Sequence, residues 1–85
     1  MDKVAFVSGA NRGIGFETSK KLAELGIKVI LGSRDVDKGQ SAVEKLALLG
    51  HETDLIQYDA CDSEAPAKVF EHIEKKYNKL ERWVG

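Results

Sequence analysis

Residues 8–15 read Ser-Gly-Ala-Asn-Arg-Gly-Ile-Gly, between the apolar run Val4–Val7 and an amphipathic stretch. Three glycines at this spacing strip side chains from one short segment. Gly9 lets the backbone turn sharply without a Cβ clash, Gly13 leaves room for a ligand against the main chain, and Gly15 lets a following helix lie close to the strand. Free N–H groups of the first helical turn, with the helix dipole behind them, then form an anion site that suits a pyrophosphate. The spacing is G-x-x-x-G-x-G. It is neither G-x-G-x-x-G nor a P-loop, because no Lys-Ser or Lys-Thr follows the last glycine. Asn11 can hydrogen-bond local backbone and hold the loop in shape. Ile14 is expected to give its N–H to the phosphates and its side chain to the core.

A second cluster lies at Ser33-Arg34. An acidic residue just after the second strand of a dinucleotide site would bond a ribose 2′-hydroxyl and repel a 2′-phosphate. Ser33 and Arg34 stand there instead, and Arg12 sits in the glycine loop. Two guanidinium forks converging on one place suit a phosphate dianion, which points to NADP(H). Asp35 comes one position late for the ribose role and reads as a helix N-cap.

These residues need a scaffold that brings strand ends together. Val4–Val7, Lys28–Leu31 and Thr53–Tyr58 read as strands, the first two as continuous apolar runs of the kind buried on both faces. Gly13–Leu25, Asp35–Leu49 and a segment from Asp62 or Ser63 to about Tyr77 read as helices. Gly26 and Gly50 stop the first two, and Pro66 is tolerated in the first turn of the third. Val36, Ala42, Val43, Leu46 and Leu49 mark the buried face of the second helix; Val69, Phe70, Ile73 and Tyr77 mark that of the third. The β-α-β-α-β-α order predicts an α/β fold, half of a doubly wound Rossmann-like unit. Its parallel sheet has order 3-2-1, with a fourth-strand stub at Leu80–Gly85.

The sequence resembles the short-chain dehydrogenases/reductases over nearly its whole length. SGANRGIG is similar to their T-G-x-x-x-G-I-G signature, with Ser8 for the usual threonine. Residues 32–46, GSRDVDKGQSAVEKL, resemble the second strand and helix of NADP-dependent, carbonyl-reductase-like members. Asp59-Ala60-Cys61-Asp62 resembles the family's D-V-x-D. The resemblance implies NADP preference from the two basic positions. It also implies adenine recognition by the Asp59 side chain and the Ala60 backbone; a carboxylate does accept from an amino group.

The family's tyrosine with a lysine four residues later is not present. Asp62 follows Tyr58 and Glu81 follows Tyr77 at that spacing, and the family's N-N-A-G is also missing. No catalytic residue is therefore assigned. Arg82 fits poorly in a central strand, and the stretch reads as a single truncated dinucleotide-binding domain, residues 1–85. It is an NADP(H)-binding module on this reading. The alternatives are an NADPH-dependent carbonyl reductase completed by a partner chain, and a structural or engineered minimal fragment with a vestigial site.

Among 85 residues, 13 Lys and Arg balance 14 Asp and Glu. With both signs interspersed, there is no basic block for nucleic acid or an anionic membrane, and no apolar run long enough to span a bilayer. His51 and His72 have no carboxylate or second histidine at ligand spacing, so no metal is expected. Cys61 is the only cysteine, which fits a cytoplasmic setting and a partly buried thiol. Tyr77 and Trp83 read as packing residues. With the third helix alone on its side, one sheet face is expected to stay half open, favouring a homodimer or higher self-association.

Overall fold

A computed structural model describes residues 3–9, 13–59 and 61–77, together with the backbone of 82–84. Asn11, Arg12, Ala60 and the side chain of Trp83 lie outside the described residues. The elements run β1 (Val4–Ser8), α1 (Gly13–Glu24), β2 (Lys28–Ser33), α2 (Val36–Leu48), β3 (Asp54–Gln57), α3 (Ala65–Tyr77) and β4 (Arg82–Val84). All strand pairs are parallel, in the order β3-β2-β1-β4. The expected 3-2-1 order holds, and β4 occupies the stub position beside β1.

Alternation along each strand divides the core in two. Val7, Val29 and Leu31 face α1 and α2, where they meet Phe16, Leu22, Ala42 and Leu46. Val4, Phe6 and Ile30 face α3, where they meet Val69, Ile73, Tyr58 and Tyr77. The Phe6 ring stands edge-on to Tyr58 at 5.3 Å and fills the space above Gly32, where a Cβ would come within 2.4 Å of its Cζ.

Helix ends follow local chemistry. The Asp35 carboxylate accepts from the N–H groups of Asp37 (3.0 Å) and Lys38 (3.3 Å), capping α2. Asp62 does the same for the turn entering α3, accepting from the Glu64 N–H at 3.0 Å. α1 and α2 both end in a Schellman arrangement. Gly26 (φ +83°) and Gly50 (φ +89°) take the left-handed conformation, and the next residues, Ile27 and His51, donate back to the Leu22 and Leu46 carbonyls at 3.1 and 2.9 Å.

Several expectations require correction. Ile14 is 86% exposed. Phe16 takes the inward place instead, packed against the core that α1 and α2 share. Leu25, one residue past α1, is 76% exposed. Val36, Leu49 and Phe70 are also exposed rather than members of their helices' buried stripes. Cys61 is exposed in the turn before α3, not partly buried. The half-open sheet face is not seen at β1 and β2. Val4–Val7 and Val29–Leu31 are each no more than 2% exposed, because α3 and the two tyrosines cover the side opposite α1 and α2.

Candidate functional site

Parallel strands in the order 3-2-1 bring three turns to one rim of the sheet: those after β1, β2 and β3. The paired registers Ser8↔Gly32 and Ser33↔Gln57 keep the strand ends level. This is the rim at which doubly wound folds take ligands.

At the first turn, Gly9 (φ +64°) and Gly13 (φ +57°) both adopt the left-handed conformation, which side chains disfavour. A Cβ at either would meet nothing within 4 Å. The glycines are thus fixed by backbone angle and leave open space, not a packed contact. Gly13, Ile14, Phe16 and Lys21 line an open groove of about 750 Å³ that begins at the head of α1. Gly15 is half-buried, and its carbonyl accepts from the buried Ser19 hydroxyl at 2.8 Å.

At the second turn, Arg34 is exposed and shares a groove of about 500 Å³ with Asp35, Asp37, Lys38 and Gln57. Among the described residues neither Arg34 nor Lys38 forms an ion pair. Ser33 does not line this groove. It is 2% exposed, and its hydroxyl donates to the Asp35 carbonyl at 2.8 Å. Both residues flanking Arg34 therefore point their polar atoms into the turn itself. The Asp35 cap uses a single carboxylate oxygen, Oδ1, which accepts from both backbone N–H groups.

At the third turn, Asp59 is half-buried. One carboxylate oxygen accepts from the Cys61 N–H at 2.9 Å, and its carbonyl accepts from the Asp62 N–H at 3.0 Å. This Asx-type turn fixes the side chain at the rim. Ala60, Asn11 and Arg12 complete the sequence-derived set but lie outside the described residues. Gly9, Gly13, Ile14, Gly15, Arg34 and Asp59 thus share one rim, with Ser33 beneath it.

Lys38 and Gln57 are additions that the linear pattern did not suggest. Lys38 sits one turn into α2, so a helical period carries it back toward Arg34. Gln57 becomes a neighbour only once β3 pairs with β2. The first could have been found from the spacing to Arg34; the second needed the sheet order.

The ionisable groups with shifted titration gather at the opposite rim. Partial burial pushes the Asp54 carboxyl up, but hydrogen bonds from Lys76 Nζ (2.9 Å), the Leu55 N–H (3.0 Å) and Tyr77 Oη (3.1 Å) outweigh it. The net result holds Asp54 below the usual carboxylate value. His72 Nε2 stands 3.8 Å from the same carboxylate. Burial, and then the bond to Asp54, pushes the Tyr77 phenol up. This cluster ties the end of α3 to the start of β3. Among the described residues no group of three His, Cys, Asp or Glu side chains could hold a metal ion, and no helix is long and apolar enough to cross a membrane.

A family model for short chain dehydrogenase matches residues 3–84. The (+)-neomenthol dehydrogenase of Arabidopsis thaliana is 39% identical over 98% of this chain and 29% of its own length. The salutaridine reductase of Papaver somniferum is 42% identical over 98% of this chain and 27% of its own. Among solved structures, a metagenomic short-chain oxidoreductase in complex with NADP superimposes with a TM-score of 0.87 and 31% identity, covering 95% of this chain and 37% of that one. The chain therefore spans less than a third of the length of the two curated relatives. With its glycine turn, parallel sheet and near-complete match to the family model, the chain belongs to the short-chain dehydrogenases.

Proposed function

We propose that residues 1–85 form one NADP(H)-binding unit of an oxidoreductase. The pyrophosphate lies over the first turn of α1, where Gly13, Ile14 and Gly15 present backbone N–H groups. The phosphate on the ribose is held by Arg34 and Lys38, with Arg12 as a second guanidinium. Asn11 shapes the glycine loop, and Ser33 shapes the turn beneath Arg34. Asp59 and Ala60 take the adenine ring, for which Asp59 has a second carboxylate oxygen that its turn does not use.

The observation that carries this reading is the division of labour at the second turn. Of the two acids lining the groove there, Asp35 caps α2 through Oδ1 and Asp37 lies in the first turn of α2, while the cations Arg34 and Lys38 line the same groove and, among the described residues, pair with neither acid. A site for an unphosphorylated ribose would present the reverse arrangement. The similarity to an oxidoreductase in complex with NADP supports the same choice.

When bound, the nicotinamide supplies a hydride, and reduction of a carbonyl compound is the activity we propose for the protein carrying this unit. The proton-exchanging phenol and its lysine then come from residues other than Tyr58 and Tyr77. Tyr77 in particular packs at the far rim on Asp54. A cytoplasmic location fits the lone exposed thiol of Cys61. Self-association through a sheet face loses its support now that β1 and β2 are covered. The outer edges of β3 and β4 are the remaining routes, and sedimentation velocity tests them.

Thermal unfolding with and without nucleotide tests the binding proposal. Ligand at a hundred times its dissociation constant adds about 2.7 kcal/mol of stability, readily seen as a rise in Tm. A rise with NADP+ well above that with equal NAD+ is expected. No rise with either nucleotide overturns the proposal.

A further inference from the structure

The Arg34 turn is held from three sides, and one brace comes from a different strand. Side chains alternate along β3. Leu55 packs on the α1/α2 side of the sheet and Ile56 on the α3 side, so Gln57 returns to the α2 side at the strand's end. The pairing Ser33↔Gln57 sets it beside the point where β2 leaves the sheet. There the Tyr58 N–H donates to the Ser33 carbonyl at 2.9 Å, and the Gln57 side-chain Nε2 donates to the Arg34 carbonyl at 3.4 Å. The Ser33 hydroxyl and the Gly39 N–H both donate to the Asp35 carbonyl, at 2.8 and 3.0 Å. Among the described residues, Gln57 is the one side chain from outside the turn that bonds the Arg34 peptide. Because a peptide unit is planar, holding that carbonyl fixes the plane between Arg34 and Asp35.

We propose that Gln57 is a positioning residue for phosphate selectivity. It orients the Arg34 peptide so that the guanidinium and Lys38 converge on a phosphate monoester carried by the ribose. The proposal rests on the NADP(H) reading above. A neutral amide suits the task, because a carboxylate at the same place would repel the phosphate and could not donate to the carbonyl. Gly39 lets α2 settle against the same corner, where a Cβ would come within 2.6 Å of Leu55 Cδ1 and 3.0 Å of Ser33 Cβ. The turn is thus ordered before ligand arrives, and less ordering free energy is drawn from binding.

Calorimetric titration of the 85-residue chain with NADP+ and with NAD+ tests the proposal through three variants. Gln57→Met keeps the length of the side chain and removes the amide. Gln57→Glu also adds a negative charge. Arg34→Ala tests the underlying reading. The bond is long, so Gln57→Met is expected to weaken NADP+ binding about two- to tenfold, the range of one neutral hydrogen bond, and to leave NAD+ binding unchanged. Gln57→Glu is expected to weaken NADP+ binding further. If Gln57→Met binds NADP+ as the parent does, or loses NAD+ to the same degree, the positioning role is overturned while a selective Arg34→Ala defect keeps the NADP(H) reading. If Arg34→Ala leaves the NADP+ preference intact, that reading falls and takes the Gln57 role with it. Gln57 is exposed at the edge of the sheet, and an unchanged Tm for Gln57→Met confirms that the fold is intact.

Discussion

Where the strands begin, polar groups are closed on one another. Gly26 and Gly50 turn two helix ends back so that Ile27 and His51 satisfy the last carbonyls. Asp54 gathers Lys76, Tyr77 and the Leu55 N–H around one carboxylate. Where the strands end, backbone groups are also tied down, by Asp35, Ser33 and Asp59, yet the long cations Arg34 and Lys38 line an open groove. The first rim uses its charges to hold α3 on the sheet. The second spends its short polar side chains on shaping turns and leaves its cations available. Polar residues of the same types thus do different work according to whether a partner lies within the fold.

This contrast predicts that the rims separate under mutation. The largest effect is expected from joining Arg34→Ala with Lys38→Ala. Hydrogen bonds to charged groups contribute about 1.5–3 kcal/mol each, so losing two should lower NADP+ affinity by at least about a hundredfold, with NAD+ affinity and Tm unchanged. Calorimetry with both nucleotides checks this. A similar loss with NAD+ would show that the cations hold the pyrophosphate instead.

Asp35→Ala is the case that sharpens the boundary, because Asp35 lies at the rim where the strands end yet serves the fold. Loss of an N-cap should cost about 1 kcal/mol of stability in urea unfolding, and loosening of the Arg34 turn should weaken NADP+ modestly. Tighter NAD+ binding in this variant would mean that Asp35 had been repelling ligand rather than capping α2.

Asp54→Asn should give the smallest change, confined to the other rim. Asp54 titrates in the folded protein below its usual value of 3.8. Its ionised form therefore adds stability above that value, and the contribution is lost as pH falls through the lower folded value. The parent should lose stability on acidification below about pH 4, and the variant should be less stable near neutrality but lack that part of the acid loss. NADP+ binding should not move. Tm measured against pH for both proteins decides the matter; parallel curves would mean that the Asp54 cluster contributes nothing.

The sequence carried the scaffold further than the site. Apolar runs at Val4–Val7 and Lys28–Leu31 could only be strands covered on both sides, and Asp35 before an amphipathic stretch, with Gly50 after it, bounded α2 within a residue. Such features are local, so periodicity and capping chemistry reveal them. Ile14 misled because an apolar residue in a helix was assigned inward, whereas the rotation of α1 gives that place to Phe16. Cys61 misled because its exposure depends on the Asp59 turn, which lifts it off the sheet. Gln57 carried no signal at all in the linear order. Its meaning arises from the β2–β3 register, twenty-three residues from Arg34. The glycine turn was legible as a sharp turn that strips side chains from the backbone, and Gly9 and Gly13 do take the left-handed φ that glycine alone adopts readily.

The central claim is that bare amides at the head of α1 and the cations after β2 hold one phosphorylated dinucleotide. Mapping of backbone amide shifts in a nitrogen-15-labelled sample during NADP+ titration tests it most directly. The account predicts saturable shifts at Gly13, Ile14 and Gly15 and at Arg34–Lys38. The same titration with NAD+ should move the first set and spare the second. Shifts confined to the Asp54 rim, or no saturable shift at Gly13–Gly15, would contradict it.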